Sequence, residues 1–158
     1  MQPVSIGSAT AQDSADCAGL LTEHLREHNI QISAESLRDV LDRIIADEQC
    51  GFVQVARAKD QIVGVAYVAA ILSVEHAGPV AWLEELYVPP AWRQNGIGSA
   101  LIAAVLERAQ ARGMVAVDLE IDVGHHRAAS LYERNGFHRL ERSRWARKLT
   151  RTDEFTAR

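Results

Sequence analysis

Apolar and polar positions alternate and recur along the chain in a sequence of changing periods. VSIGSAT (Val4 to Thr10) is a short strand candidate. Thr10, with Asp13 three residues on, offers an N-cap for a helix that runs through LLTEHLREH to about Asn29. From Ala34 to Asp47 the residues Leu37, Val40, Leu41, Ile44 and Ile45 fall on one stripe at spacings of three and four, which predicts a second helix. CGFVQVARA alternates apolar and polar residues as a strand does. KDQ then turns it into IVGVAYVAAIL, a longer and more buried strand, so the two predict a hairpin. AWLEELYV (Ala81 to Val88) predicts the next strand, closed by Pro89 and Pro90, which cannot continue a ladder. A helix then runs to about Arg112, with Ile97, Leu101, Val105 and Ala109 on its buried face and Gly113 as its stop. MVAVDLEI predicts a strand and RAASLYERN a short helix ended by Asn135 and Gly136. FHRLER and RWARKL predict a closing strand pair.

The predicted order is therefore β α α β β β α β α β β, a mixed α/β domain. Its strand–helix–strand unit at residues 81–121 is expected to form a right-handed parallel crossover. At 158 residues the chain holds one domain, placed at residues 1–150, followed by a polar tail, RTDEFTAR, at 151–158. No internal repeat or linker interrupts it. A net charge of −4 argues against a nucleic-acid partner, which calls for a basic face. The basic RSRWARK stretch, placed on the last strand by its alternation, reads as a solvated strand face. Cys17 and Cys50 lie far apart without a metal-type spacing and read as free thiols. The first ten residues lack a secretory pattern, and no run reaches the ~18 apolar residues of a membrane span. A cytoplasmic protein without membrane or metal partners is expected.

One junction does not fit ordinary helix chemistry. Between the strand at residues 81–88 and the next helix stands Arg93-Gln94-Asn95-Gly96-Ile97-Gly98, so the helix begins on the residues least willing to be helical. Unpaired N–H groups at a helix start and the helix dipole favour an anion, and glycines allow a phosphate to approach the backbone closely. By itself the pair of glycines means no more than a turn. A dinucleotide fingerprint is excluded, because its third glycine falls at position 101, where Leu101 stands.

R-x-x-G-x-G at residues 93–98, preceded by LEELYV and followed by RAASLYERNGF, resembles the GNAT superfamily of acyl-CoA-dependent N-acetyltransferases. The motifs span residues 83–137, and the order of elements agrees over nearly the whole chain. The resemblance implies an acyl-CoA N-acyltransferase fold: a mixed sheet of about six to seven strands, with a bulge in the fourth and the fourth and fifth splayed. It implies acetyl-CoA as co-substrate, its pyrophosphate wrapped by backbone amides of Arg93, Gln94, Asn95, Gly96, Ile97 and Gly98, with Ser99 beside them. Leu86, Tyr87 and Val88 would lie along the pantetheine arm. A backbone N–H near Val88 would bond the thioester carbonyl as a single oxyanion donor.

Acetyl transfer to an amine needs a base and an acid. An alkyl ammonium has a pKa near ~10.4 and must lose a proton before it attacks, and the departing thiolate is helped by a nearby donor. Glu84 and Glu85 are adjacent on a strand and are expected on opposite faces, Glu84 sharing its face with Leu86 and Val88. LEELYV resembles the pattern of the diamine acetyltransferase branch, where the first carboxylate is the proposed base, which favours Glu84 over Glu85. In the alternative, one carboxylate binds the cationic substrate and water removes the proton. Tyr132 alone reads as a core residue beside Leu131 and Phe137; within the family's pattern it matches the tyrosine next to the coenzyme sulfur. Seven residues before it the family commonly carries a coenzyme-binding asparagine, and this chain has His125, followed by His126. His24 and His28, one turn apart and without a visible third ligand, read as a solvated face. Acceptor recognition is expected from the first two helices and from loops near Glu75–Pro79 and Arg142–Trp145. Glu23, Glu27, Glu35, Asp39 and Asp42 crowd those helices and suggest a cationic small molecule, although a charge run is usually a solvated face. The rival readings are a non-catalytic acyl-CoA-binding regulatory module, and an acetyltransferase acting on a protein N-terminus or lysine. A homodimer is also compatible with this sequence.

Overall fold

Helical stripes on two sides and a set of β-rich runs between them must bury their apolar faces together, and a sheet covered on both faces is the arrangement that does so. The computed structural model describes residues 3–149. Strands β1 (Val4–Ser8), β2 (Gly51–Ala58), β3 (Gln61–Ser73) and β4 (Gly78–Tyr87) pair in sequence order, each antiparallel to the one before. β5 (Ala116–Leu119) joins β4 in parallel, which is the predicted crossover. Helices α1 (Ser14–Glu27) and α2 (Ala34–Ala46) connect β1 to β2, α3 (Ile97–Ala111) connects β4 to β5, and α4 (His126–Arg134) follows.

Two apolar layers hold this together. On one face of the sheet Ile97, Leu101, Val105 and Ala109 of α3, the predicted stripe, pack on Phe52, Ala66, Val68 and Leu83. On the other, Cys17 and Leu21 of α1 and Leu41 and Ile44 of α2 pack on Val53, Val55, Val65 and Tyr87. Each fully buried Leu, Ile, Val or Phe contributes about 1.5–3 kcal/mol. β2 is covered from both sides, so it is buried nearly throughout instead of alternating; even Gln54 is 5% exposed. Gly64 of β3 supports the seat of α3. A Cβ there would stand 3.1 Å from Leu101 Cδ1 and 3.2 Å from Ile97 Cγ2, so its absence lets the start of α3 lie close on the sheet.

Thr10 and Asp13 form the expected capping box, yet the turn they close is a 3₁₀ turn, Ala11–Asp13, that leads into α1 at Ser14. The Asp13 carboxylate accepts from Thr10 N at 2.6 Å and Thr10 Oγ1 at 2.8 Å, and from both Arg57 guanidinium nitrogens at 2.6 and 2.7 Å. The hydrogen bonds from Arg57, then those from Thr10, hold its pKa well below the usual carboxylate range against the opposing effect of burial.

The predicted closing strand pair is not formed: residues 137–149 contain no strand, and the sheet has five strands among the described residues. The apolar side of that alternation has no face to cover, for Trp145 is 91% and Leu149 83% exposed. The arginines of the segment are tied sideways instead, Arg142 to Glu75 and Arg144 to Glu120. The first of these pairs joins the two loops expected to recognise an acceptor. The polar tail at 151–158 lies outside the described residues. No described helix is long and apolar enough to cross a membrane.

Asp13→Asn keeps the size of the side chain but not the charge facing Arg57, and is expected to destabilise the fold by about 2–4 kcal/mol. Urea unfolding measures it. Because the folded pKa is lowered, this stability is present above the unfolded Asp value of ~3.9 and is lost as pH falls below it, so wild type and variant should converge in acid.

Candidate active site

β4 carries one residue more than β3 requires. Val68 pairs with Leu83 and Tyr67 with Glu85, so Glu84 is an extra residue, a bulge. Leu83 and Leu86, three apart, consequently both belong to the α3 layer, while Tyr87 belongs to the α1–α2 layer. The simple alternation that put Glu84 with Leu86 and Val88, and opposite Glu85, is broken at the very residue concerned. Both glutamates lie between two α3-side leucines and turn to the α1 face, where Glu85 meets His24. The parallel ladder to β5 ends at the same level: Leu83–Leu119 is its last pair, whereas β4 continues to Tyr87. The two strands part there, as the expected splay requires.

Glu84 keeps contact with solvent, and among the described residues it forms no side-chain hydrogen bond. Desolvation by its surroundings and then the adjacent Glu85 charge raise its pKa, while Arg144 opposes them. Tyr132 is half-buried against the α3 layer, its ring edge-on to Phe137 at 5.6 Å. Burial, with a smaller effect from the Glu85 charge, pushes its hydroxyl up to about 12. The charge of Glu85 thus acts on both Glu84 and Tyr132.

The glycine junction has the backbone expected of an anion cradle. Gln94 and Gly96 adopt left-handed conformations, φ 65° and 77°, and Gly96 is the N-cap of α3. No side chain caps the helix, so the amides of its first turn remain available, while Ala100 N bonds Gly96 O at 3.0 Å. Asn95 braces the turn by donating to Trp92 O at 3.2 Å. A Cβ on Gly96 would meet nothing within 4 Å, so the space before the loop is open, and Gly98 faces Leu131 of α4. These features fit a diphosphate. Ile97 is buried and anchors the helix, and Ser99 is half-buried beside it. His125 stands at the N-cap of α4, exposed, and its side chain caps nothing.

Arg93 and Tyr87 are turned elsewhere. Arg93 donates through Nε to Val88 O at 2.7 Å and through one terminal nitrogen to both Glu27 oxygens at 3.2 Å. Tyr87 donates to Glu27 at 3.0 Å beneath the Arg93 guanidinium. Burial raises the Glu27 carboxyl, but Tyr87 and Arg93 outweigh it and its pKa lies below normal. Leu86 and Val88 pack toward α3 instead. His24, expected on a solvated face, is wedged between Glu85, with Nε2 at 2.9 Å from Oε2, and the Tyr87 ring at 5.0 Å. His28 is paired with Asp122 at 2.8 Å. Sequence reasoning passed over His24 and counted Glu27 only within an acidic run; the available signal was their position next to the buried Leu21 and Leu25 on α1.

The chain matches the model of the acetyltransferase (GNAT) family over residues 18–137. An uncharacterized N-acetyltransferase of Methanocaldococcus jannaschii is 38% identical over 73 residues, which is 46% of this chain and 32% of that protein. The match thus spans about a third of that relative's length. Among solved structures, a candidate acetyltransferase of Arthrobacter sp. FB24 is 29% identical, with TM-score 0.78 over 92% of this chain and 96% of its own. An aminoglycoside N-acetyltransferase solved with CoA shares the fold at 20% identity, TM-score 0.81, covering 94% of this chain and 96% of that one.

The chain has three tyrosines, Tyr67, Tyr87 and Tyr132. Burial comes first among the causes that raise all three, and Tyr87 and Tyr132 reach about 12. An ultraviolet phenolate titration of the folded protein should therefore show little ionisation near the ordinary ~10. A raised pKa means the folded state holds the proton more tightly than the unfolded chain. Stability should accordingly fall as pH climbs from ~10 through about 12, and phenolate absorbance should appear together with loss of structure.

Proposed function

The chain belongs to the GNAT family of acetyltransferases, and on that premise we propose that it transfers an acetyl group from acetyl-CoA to a primary amine by direct attack. The observation that carries this reading is a coincidence of level on β4. The parallel ladder to β5 ends at Leu83, the bulge follows at Glu84, and Glu85 stands close enough for its charge to act on Tyr132. This reading takes Glu84 and the Tyr132 phenol as the two proton-handling groups beside the end of that ladder.

Acetyl-CoA supplies the activated acyl carbon; the chain's own residues bind, orient and move protons. The first-turn amides of α3 at Gly96, Ile97, Gly98 and Ser99 are the groups suited to hold the diphosphate. Val88, its carbonyl fixed by Arg93, ends β4 in a defined orientation beside the cleft, where its N–H is the candidate donor to the acyl oxygen. Glu84 takes the proton of the acceptor ammonium, directly or through water; a raised carboxyl pKa makes it the stronger base. Tyr132, protonated across the neutral range, donates toward the departing sulfur. A small-molecule amine as acceptor is supported by the aminoglycoside enzyme of the same fold.

Thiol release from acetyl-CoA tested with a panel of small amines, and with N-terminal and lysine peptides, decides between acceptors. Release with a small amine supports the reading, and release with peptides alone supports a protein-directed enzyme. No release beside a clear rise of Tm with acetyl-CoA means a binding module. Gly98→Val, which adds bulk between the loop and Leu131, should remove the acetyl-CoA-induced Tm rise while the protein stays folded.

Tyr132→Phe removes only the hydroxyl. It should leave the acetyl-CoA-induced Tm rise unchanged and lower kcat by about 10²-fold, the low end of general-acid effects, because a thiolate leaves readily. An unchanged kcat would return Tyr132 to a packing role.

A further inference from the structure

Two carboxylates stand side by side at the bulge, and their surroundings differ. Glu85 is held: His24 Nε2 lies 2.9 Å from its Oε2, with the two side chains 16% and 23% exposed. Glu84 is not held by any side chain among the described residues. The His24 ring is fixed on three sides, by Glu85, by Tyr87 at 5.0 Å and by His28 edge-on at 4.8 Å. Its other nitrogen, Nδ1, is shut off from solvent and has no partner among the described residues. A proton on Nδ1 would be a buried donor without an acceptor, which costs about 1–3 kcal/mol. The contact is therefore best made with a proton on Nε2, which donates to the Glu85 carboxyl group.

We propose that His24 is a positioning residue for acetyl transfer, pinning the Glu85 carboxylate against α1 so that Glu84 is the one left free to take the amine's proton. The inference rests on the reading of Glu84 as the base and adds what assigns that task between two adjacent glutamates. Held by His24, the Glu85 carboxylate stands beside Glu84, and after desolvation its charge is the second cause of the raised Glu84 pKa. Released from His24, the Glu85 side chain would be free to turn to Glu84 and share the proton that Glu84 takes up. The other charged or titratable groups facing this cluster are Glu27 and His28 of α1, Tyr67 of β3, Tyr87 of β4, Tyr132 of α4, and Arg93 and Arg144. Asp122 acts through His28. Of these, Arg93 is committed to Glu27 and Val88 O, and Arg144 to Glu120, so neither replaces the hydrogen bond from His24.

The test is a ¹³C-carboxyl NMR titration of the full chain, with the Glu84 signal identified by its loss in Glu84→Gln. It is run beside the pH profile of kcat/KM with an amine found by the thiol-release panel. In Glu85→Gln the neighbouring charge is gone, and the Glu84 midpoint and the acid limb should both move down by about one pH unit. In His24→Leu the pair shares its first proton more readily, so the midpoint and limb should move up by about one unit, lowering kcat/KM about tenfold on the acid side. His24→Gln, which keeps an N–H donor, should restore much of the wild-type position. In the Glu85→Gln background, His24→Leu should produce no further movement. A Tm measurement confirms that each variant is folded, and if His24→Leu does not fold, His24→Gln and Glu85→Gln carry the test. A fall in kcat in His24→Leu with both midpoint and limb unmoved would make His24 a packing residue and overturn the proposal, leaving Glu84 as base. An acid limb that survives in Glu84→Gln would overturn the base assignment itself, and this proposal with it.

Discussion

A single extra residue in β4 sets the geometry on which the rest depends. Below the bulge Leu83 pairs with Val68, and above it Glu85, Leu86 and Tyr87 pair with Tyr67, Ala66 and Val65, so the bulge is pinned by ladder on both sides. Because the side-chain period of a strand is two, inserting one residue exchanges the faces of everything beyond it. Leu86 is thereby sent to the α3 layer and Tyr87 to the α1–α2 layer. Both glutamates come to one side, at the level where the pairing of β4 with β5 ends. Without the bulge, Glu84 and Glu85 would face opposite layers, one of them committed to an apolar core.

Helix α1 answers this geometry from above. Glu27 is its last residue, where the helix dipole disfavours a negative charge. It is tolerated because Tyr87, turned inward by the bulge, and Arg93, at the start of the glycine loop, both donate to it. The same Arg93 fixes the Val88 carbonyl. One carboxylate therefore couples the end of α1 to the strand end and to the glycine loop that precedes α3. The open backbone of Gly96 and the close seat of α3 on Gly64 complete that cradle from below. Arg93 and Tyr87 thus serve this site through what they brace.

What was legible in the sequence was whatever is periodic or conformationally exclusive. The α3 stripe from Ile97 to Ala109 follows from spacing alone, and a helix starting on Gly96 follows from the need for a left-handed residue there. The bulge at Glu84 follows from neither. It is a property of the register with β3, and the family resemblance could place a bulge on the strand but not which face each glutamate takes. His24 and Glu27 were hidden for a related reason. A polar residue on an amphipathic helix reads as solvent-facing unless its partner, here on β4 or after it, is known. The closing strand pair failed in the opposite way: FHRLER and RWARKL have the right alternation, but no neighbouring face covers Trp145 or Leu149, and their arginines are drawn to Glu75 and Glu120.

The acidic crowding of the first two helices also changes meaning once the partners are visible. Counted along the chain, Glu23, Glu27, Glu35, Asp39 and Asp42 suggest a surface gathering charge for a cation. In the fold, Glu27 is matched by Arg93 and Tyr87, Asp42 by Arg38 and Glu85 by His24. Glu23, Glu35 and Asp39 remain exposed on the helices, where water screens them and their attraction is long-range and weak. At the β4 bulge, Glu85 is paired with His24, while Glu84 has no side-chain hydrogen bond among the described residues. On the proposed reading, a cationic amine meets its electrostatic partner at the same carboxylate that is proposed to deprotonate it. Attraction and base catalysis would then fall on one side chain, a carboxylate that accepts the proton only once the ammonium has come to it.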